Sequence, residues 1–266
     1  MSEFLAVCEQ AARAGGQILR EMQGRIQARE KSPKDLVTEA DVASQEKIRQ
    51  ILLTAYPHHD FLGEEGPVAP INPAATRQNG ASGPAYRWIV DPLDGTVNYV
   101  HGMQNYAVSV ALQRDNDIIL GVVYDPSSDE CYTAMAGQGA FLNGRKLSVS
   151  PCAQIEKAMI AASFSSNVDR HSLEITRFIE VLLAAQTVRR LGSAALNLCY
   201  VAAGRLDAYW TTNIKLWDIA AGLLIVREAG GRMTNLTNEP IDFAQPQIVA
   251  SATESLHLQL LKCLVV

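Results

Sequence analysis

The sequence predicts a mixed α/β fold, and three observations predict it. Two segments with helical periodicity open the chain. Short apolar runs separated by turn residues follow between Trp88 and Asn143, the pattern of an antiparallel meander. After about residue 152 short strands alternate with helical segments, the rhythm of a layered α/β half. The chain has 266 residues, 48% apolar and 19% charged, with 18 Gly and 11 Pro, which suits a substantial buried core and excludes a fibre or a low-complexity array. It divides into an N-terminal half, 1–152, and a C-terminal half, 153–266. No repeat or linker separates them, so one continuous body is expected.

Taken in order, Phe4, Leu5, Cys8, Ala11, Ala12, Ile18 and Leu19 fall at spacings that suit one face of a helix. A second helical pattern follows Asp41, with Ile48, Ile51 and Leu52 on its apolar side, and Pro57 stops it. Between the two, Lys31 to Thr38 reads as a turn or short extended piece. From Gly66 to Pro84, four Pro and three Gly among small residues, with no acid, predict a long irregular loop, a class that is usually functional or mobile. The β pattern then takes over: Trp88 to Val90, Ala107 to Gln113, Ile118 to Tyr124 after the Asp115-Asn-Asp117 turn, and Cys131 to Ala136. Asn143-Gly144 signals one more hairpin. In the second half, strands are expected at Met159 to Ala162, Val188 to Leu191, Leu206 to Trp210, Arg232 to Thr234 and Ile248 to Ala250. Helices are expected at Leu173 to Ala185, Ser193 to Ala203, Trp217 to Glu228 and near Leu256 to Leu261.

Charge and cysteine content narrow the function classes. The net charge of −5 lacks the basic footprint that nucleic-acid binders use against phosphates, so no nucleic-acid partner is expected. Cys8, Cys131, Cys152, Cys199 and Cys263 are scattered singly and odd in number, which points to reduced, mostly buried thiols. The first residues lack the order of a signal peptide and no apolar run is long enough to span a membrane. A cytoplasmic protein is expected.

The strongest local signal is Trp88-Ile-Val-Asp91-Pro-Leu-Asp94-Gly-Thr96-Val-Asn98. An apolar strand runs into two carboxylates, Pro92 cannot continue a ladder, and Gly95 allows a sharp turn, so both acids should sit at a strand end facing one point. The Leu93 carbonyl can join them. Oxygen-only ligands of this kind suit hard cations such as Mg2+. Backbone N–H groups at Gly95 and Thr96 can receive an anion. The plain alternative is an Asp-rich turn capping a strand. Gly63-Glu64-Glu65 places two more acids beside the long loop, with at most one a ligand; alone, the pair reads as solvated surface. Asp218, in Trp217-Asp218-Ile-Ala-Ala-Gly222, reads either as an N-cap or as a ligand, and the small residues after it imply a close neighbour. Gly192-Ser193-Ala194 before a helix reads either as a cap or as a receiver of an anionic or polyhydroxyl substrate. No Ser/His/Asp arrangement is evident among His58, His59, His101, His171 and His257, and His58-His59 reads as a solvated turn.

Together these motifs resemble the inositol monophosphatase family of metal-dependent, lithium-sensitive phosphatases. Residues 88–101 and 217–231 fit the family's two signatures, and Asp35 to Asp41, Gly63-Glu64-Glu65 and Gly192 to Ala195 occur in family order. The resemblance implies an αβαβα layered sandwich of the sugar-phosphatase type, two or three Mg2+ ions, a homodimer, and hydrolysis of a small phosphorylated polyol by metal-activated water. It implies that Glu64, Asp91 and the Leu93 carbonyl hold one ion, and Asp91, Asp94 and Asp218 the second. Glu64 is thereby also catalytic, and Thr96, paired with Asp41, orients and deprotonates the water. Substrate contacts are implied for Gly95, Thr96, Gly192, Ser193, Ala194, Thr211 and Asp218. Thr211 stands where inositol-preferring relatives carry a Glu, which removes a charged acceptor. Inositol phosphate is the family default; histidinol phosphate, fructose 1,6-bisphosphate and 3′-phosphoadenosine 5′-phosphate are the alternative substrates, and a regulatory binding protein retaining the fold is the alternative of another class.

Overall fold

The N-terminal helical pattern forms α1 (Ser2–Met22), whose Cys8, Ala11, Ala12 and Leu19 are fully buried. The computed structural model describes residues 2–25, 28–32, 35–66, 84–165 and 168–265. The predicted loop from Gly66 to Pro84 lies, apart from its two ends, outside the described residues. A two-stranded ribbon, β1 (Ala28–Ser32) and β2 (Asp35–Thr38), leads into α2 (Glu39–Ala55), which starts two residues before Asp41 because Thr38 caps it.

The first half builds a seven-stranded sheet in the order β3-β4-β5-β6-β7-β8-β9. Its strands are β3 (Asp60–Gly63), β4 (Tyr86–Asp94), β5 (Ala107–Arg114), β6 (Asp117–Asp125), β7 (Glu130–Met135), β8 (Gly139–Leu142) and β9 (Arg145–Lys146), with the short helix α3 (Thr96–Val100) after β4. β4 to β9 form the antiparallel meander. β3 pairs parallel to β4 and was not foreseen as a strand.

The second half builds a five-stranded sheet in the order β11-β10-β12-β14-β13. Its elements are β10 (Met159–Ser163), α4 (Leu173–Ala184), β11 (Thr187–Arg189), α5 (Ala194–Ala202), β12 (Ala208–Thr211), α6 (Leu216–Glu228), β13 (Arg232–Thr234), β14 (Ile248–Ser251) and α7 (Glu254–Leu264). β10 runs parallel to both β11 and β12. The crossover through α4 therefore leaves β10 to one side and the crossover through α5 returns to the other. Their helices lie on opposite faces, as right-handed crossovers require.

Side-chain alternation stacks these elements into five layers. Trp88, Val90, Val108, Val110 and Leu112 pack with α1 and α2, while Ile89, Ala107 and Ala111 point the other way, toward α5 and α6. Ala161, Tyr209 and Ala250 face the same α5–α6 layer from the second sheet, and Ile160, Trp210 and Val249 face α7. The result is an αβαβα sandwich in which a fully buried apolar side chain such as Leu112 contributes about 2 kcal/mol. Small residues early in α6 serve this packing: a Cβ on Gly222 would lie 2.7 Å from Cβ of Leu198 in α5. Among the described residues no helix is long and apolar enough to cross a membrane. All five cysteines are free, three of them buried. His59 departs from the expected solvated turn: it stacks between Tyr56 and Tyr86, at ring distances of 4.9 and 4.8 Å.

Candidate active site

Asp91 and Asp94 are three residues apart, so a regular strand would point them to opposite faces. A bulge corrects this. Asp91 pairs with Ser109 and Asp94 with Ala107, so β4 carries one more residue than β5 between these two pairs. Pro92 and Leu93 occupy the bulge, and β4 resumes at Asp94 rather than ending at the proline. Ser44 of α2 anchors it by donating to the Pro92 carbonyl at 3.0 Å, and the Leu93 side chain is buried against the α1–α2 layer. Gly95 then turns the chain with φ of 93°, a conformation that strains other residues.

The parallel pairing of β3 sets the next carboxylate. Gly63 lies opposite Val90 and the Glu64 amide donates to the Val90 carbonyl at 3.1 Å, which brings Glu64 beside Asp91. Gln45 of α2 holds this turn through both backbone groups of Glu65. From the opposite side comes Asp218. It is the third residue of α6 rather than its N-cap: Lys215 holds the cap position, and its amide donates to Asp218 Oδ2 at 3.1 Å. A carboxylate at that position can satisfy an orphan amide while its other oxygen points elsewhere.

Burial and mutual repulsion dominate the electrostatics. Asp91 is pushed well above the usual carboxylate range by burial first, then by the charges of Glu64, Asp218 and Asp94. Asp218 is raised likewise, by burial and then by Asp94 and Glu64, against the pull of the Lys215 amide. Asp94 is raised to about 6 by burial, against the pull of the Ser193 hydroxyl and the Ala195 amide. Asp41 is also raised to about 6 by burial, against Thr38, whose amide and hydroxyl donate to Oδ2 at 2.8 and 2.6 Å. The Thr96 hydroxyl lies 3.3 Å from Asp41 Oδ1 and 3.1 Å from the Leu93 carbonyl.

The start of α5 brings the second half of the chain onto Asp94. Ser193 caps this helix, accepting from the Leu196 amide, and donates to Asp94 Oδ2 at 2.5 Å. The Ala195 amide reaches the same oxygen at 2.7 Å. Gly192 has φ of 91°, and a Cβ there would sit 2.7 Å from Nδ2 of Asn98. That amide donates to the carbonyls of Asn105 and Leu191, both at 2.7 Å, and so ties α3 to the loop before α5. Ala194 belongs to the buried first turn. Thr211 does not line this crevice: it is fully buried and its hydroxyl is turned to the Asn213 carbonyl at 3.4 Å. The half-buried Thr212 lines a separate cleft with Lys215 and Trp217, the residue beside Asp218.

Sequence reasoning missed Ser44, Gln45 and Asn98 as supports. Their signal was a polar residue on an otherwise buried helix face for Ser44, and a place within the Thr96-Val-Asn98 run for Asn98.

Among the described residues no three His, Cys, Asp or Glu side chains stand in ready-made metal geometry. Asp91, Asp94, Asp218 and Asp41 each lean on a nearby backbone or hydroxyl donor. The donor chemistry nonetheless fits a hard cation. Asp91, 2% exposed, and the half-buried Asp218 repel each other when both are charged, and a shared proton or a bound positive charge relieves it.

Residues 1–265 match the inositol monophosphatase family. The chain is 41% identical over 239 residues to an inositol-1-monophosphatase of Rhizobium meliloti (strain 1021), covering 88% of this chain and 86% of that protein. It is 37% identical over 260 residues to a protein named Nus factor SuhB of Pseudomonas aeruginosa, covering 96% and 93%. The crystal structure of extragenic suppressor protein suhB from Bartonella henselae superposes with a TM-score of 0.90 at 36% identity, over 99% of this chain and 98% of that one. With sequence similarity along nearly its whole length and the same layered sandwich, the chain belongs to the inositol monophosphatase family, whose members are metal-dependent phosphatases.

Proposed function

We propose that this protein is a Mg2+-dependent phosphomonoesterase that hydrolyses inositol monophosphate to inositol and phosphate. The observation that carries the reading is the bulge in β4, which turns Asp91 and Asp94 to one side, facing Glu64 and Asp218. Glu64, Asp91 and the Leu93 carbonyl are the proposed holders of one ion, and Asp91, Asp94 and Asp218 of another. Bound Mg2+ supplies the positive charge that an in-line displacement at phosphorus needs on its attacking and leaving oxygens. The chain's own part is position and proton transfer. Thr96 presents a hydroxyl to water and passes its proton toward Asp41 Oδ1, 3.3 Å away. Asp41, raised to about 6, has the proton affinity to accept it near neutral pH. The amides at Gly95 and Thr96 and the Gly192-Ser193-Ala194 turn are the proposed anion and substrate contacts.

A panel of phosphate monoesters tests this. With Mg2+, phosphate release is expected at the highest kcat/KM from inositol monophosphate, ahead of histidinol phosphate, fructose 1,6-bisphosphate and 3′-phosphoadenosine 5′-phosphate. A tenfold preference for another member would reassign the substrate, and no release from any would end the enzymatic reading. A second reading is a regulatory binding protein that keeps the fold, favoured by the name Nus factor SuhB of the Pseudomonas relative. If wild type and Asp94→Asn rescue a deletion strain equally, binding outranks catalysis.

The same proposal includes a homodimer. Ile179, Leu182 and Leu183 lie three and four residues apart on α4 and are 46, 48 and 77% exposed, an apolar stripe that is the proposed contact with a second copy. Light scattering is expected to give twice the chain mass. Ile179→Glu with Leu183→Glu is expected to halve it while the circular dichroism of the helices persists.

A further inference from the structure

A carboxylate in the first turn of a helix ordinarily faces solvent, where the helix dipole favours it. Glu174, the second residue of α4, turns inward instead and is only 9% exposed. Its Oε2 accepts the Ser165 hydroxyl at 2.8 Å, and its Oε1 accepts the Ser165 amide at 3.3 Å and the Thr212 hydroxyl. Both hydroxyl protons are thereby committed to the carboxylate. The remaining lone pairs on Ser165 Oγ and Thr212 Oγ1 can only accept, and the negative charge behind them strengthens that role.

The location gives the pair its meaning. Ser165 lies just past the carboxyl end of β10, and Thr212 just past that of β12. The crossovers through α4 and α5 part to opposite sides of β10, and such a switch point is where open α/β sheets bind ligands. The neighbouring strand β11 runs into Gly192 and Ser193, which meet Asp94. Ser163, at the end of β10, receives the Tyr209 hydroxyl at 3.0 Å, and that hydroxyl feels the charges of Asp94 and Asp218. Thr212 also lines a cleft of about 400 Å³ with Asn213, Lys215, Gln245 and Trp217, the residue beside Asp218.

We propose that Glu174 is a positioning residue of a hydroxyl-recognition subsite, in which Ser165 and Thr212 accept hydrogen bonds from the polyol leaving group. This rests on the phosphomonoesterase reading and names the residues that select its leaving group. The ligand class is a phosphate ester with free hydroxyls near the ester oxygen, as opposed to an aryl ester.

Steady-state kinetics with Mg2+ on myo-inositol 1-phosphate and on phenyl phosphate, which lacks such hydroxyls, tests the assignment. Glu174→Gln is expected to raise KM for inositol phosphate about tenfold with a smaller change in kcat, and to cut the kcat/KM ratio of inositol to phenyl phosphate at least fivefold. Thr212→Val is expected to do the same, Thr212→Ser to retain the wild-type ratio, and the Glu174→Gln/Thr212→Val pair to be no worse than either alone. These Thr212 arms hold even where Glu174→Gln fails to fold. Equal losses on both substrates with a lowered Tm would make Glu174 a structural clamp and overturn the proposal. A wild-type enzyme that cleaves phenyl phosphate as well as inositol phosphate would also overturn it, leaving the phosphatase reading intact. No cleavage of either ester would overturn that reading, and the subsite with it.

Discussion

Asp91→Asn is expected to lower kcat for phosphate release on the order of 10³-fold, at any Mg2+ concentration that saturates the wild type. The substitution keeps the side chain's shape, and the amide oxygen can still accept from the Leu93 N–H, a bond of 2.9 Å in the wild type. What it removes is the charge proposed to be shared by both ions. Metal stabilisation of the transition state is worth several kcal/mol, and about 1.4 kcal/mol is a factor of ten in rate, so losing roughly 4 kcal/mol accounts for the expected drop. Asp117→Asn, at an exposed position at the start of β6, serves as the control and should change kcat less than twofold. A near-wild-type rate for Asp91→Asn would remove the bulged carboxylate pair from the chemistry.

The pair itself was legible because its signals are local: an apolar run, two acids, a proline and a glycine within a few residues. The bulge was not, because it is a count of residues against a neighbouring strand, and only the pairing of Asp91 with Ser109 and Asp94 with Ala107 exposes it. Glu64 was legible as a candidate but not its approach to Asp91. Its strand, Asp60–Gly63, is four residues long and pairs with Arg87–Val90, beyond the long segment after Gly66, so no window along the chain contains both partners. Asp218 misled in a different way. Carboxylates are favoured both at the N-cap and three residues into a helix, and composition alone cannot separate those positions. Glu174 gave no signal, since an acid in a first helical turn has an ordinary explanation. The layering was legible from the alternation of short strands with helical segments after residue 152, whereas the division of Ile160, Ala161 and Ala162 between two cores was not, because all three are apolar and carry no period-two contrast.

Without metal, the protein is expected to lose stability as pH rises from about 4.5 to 7.5, relative to Asp91→Asn over the same range. Asp94 and Asp41 are raised to about 6, and Asp91 and Asp218 lie well above their ordinary range. Between the unfolded value near 4 and the folded value, the native state therefore binds protons that the unfolded chain has released. Stability falls with pH wherever the native state binds more protons, so the penalty is absent below about 4 and complete once pH has passed the folded values. For Asp94 alone, a shift to about 6 corresponds to about 3 kcal/mol. His257 works in the opposite direction. Burial between Thr234 and Ser251 pushes it down to about 4, so it adds stability as pH rises from 4 to 6.5 and blurs the absolute curve. The difference between Asp91→Asn and wild type cancels His257, because both carry it. In metal-free buffer the Tm of Asp91→Asn should match wild type at pH 4.5 and exceed it by several degrees at pH 7.5, at about 2 °C per kcal/mol for a chain of this size. Adding Mg2+ at pH 7.5 to 100 times its dissociation constant should then raise the wild-type Tm by about 5 °C, through about 2.7 kcal/mol of binding free energy. The same addition should do little at pH 4.5, where protons hold the carboxylates. A wild-type protein whose metal-free Tm tracks that of Asp91→Asn at every pH would mean that Asp91 carries no buried charge for a cation to answer.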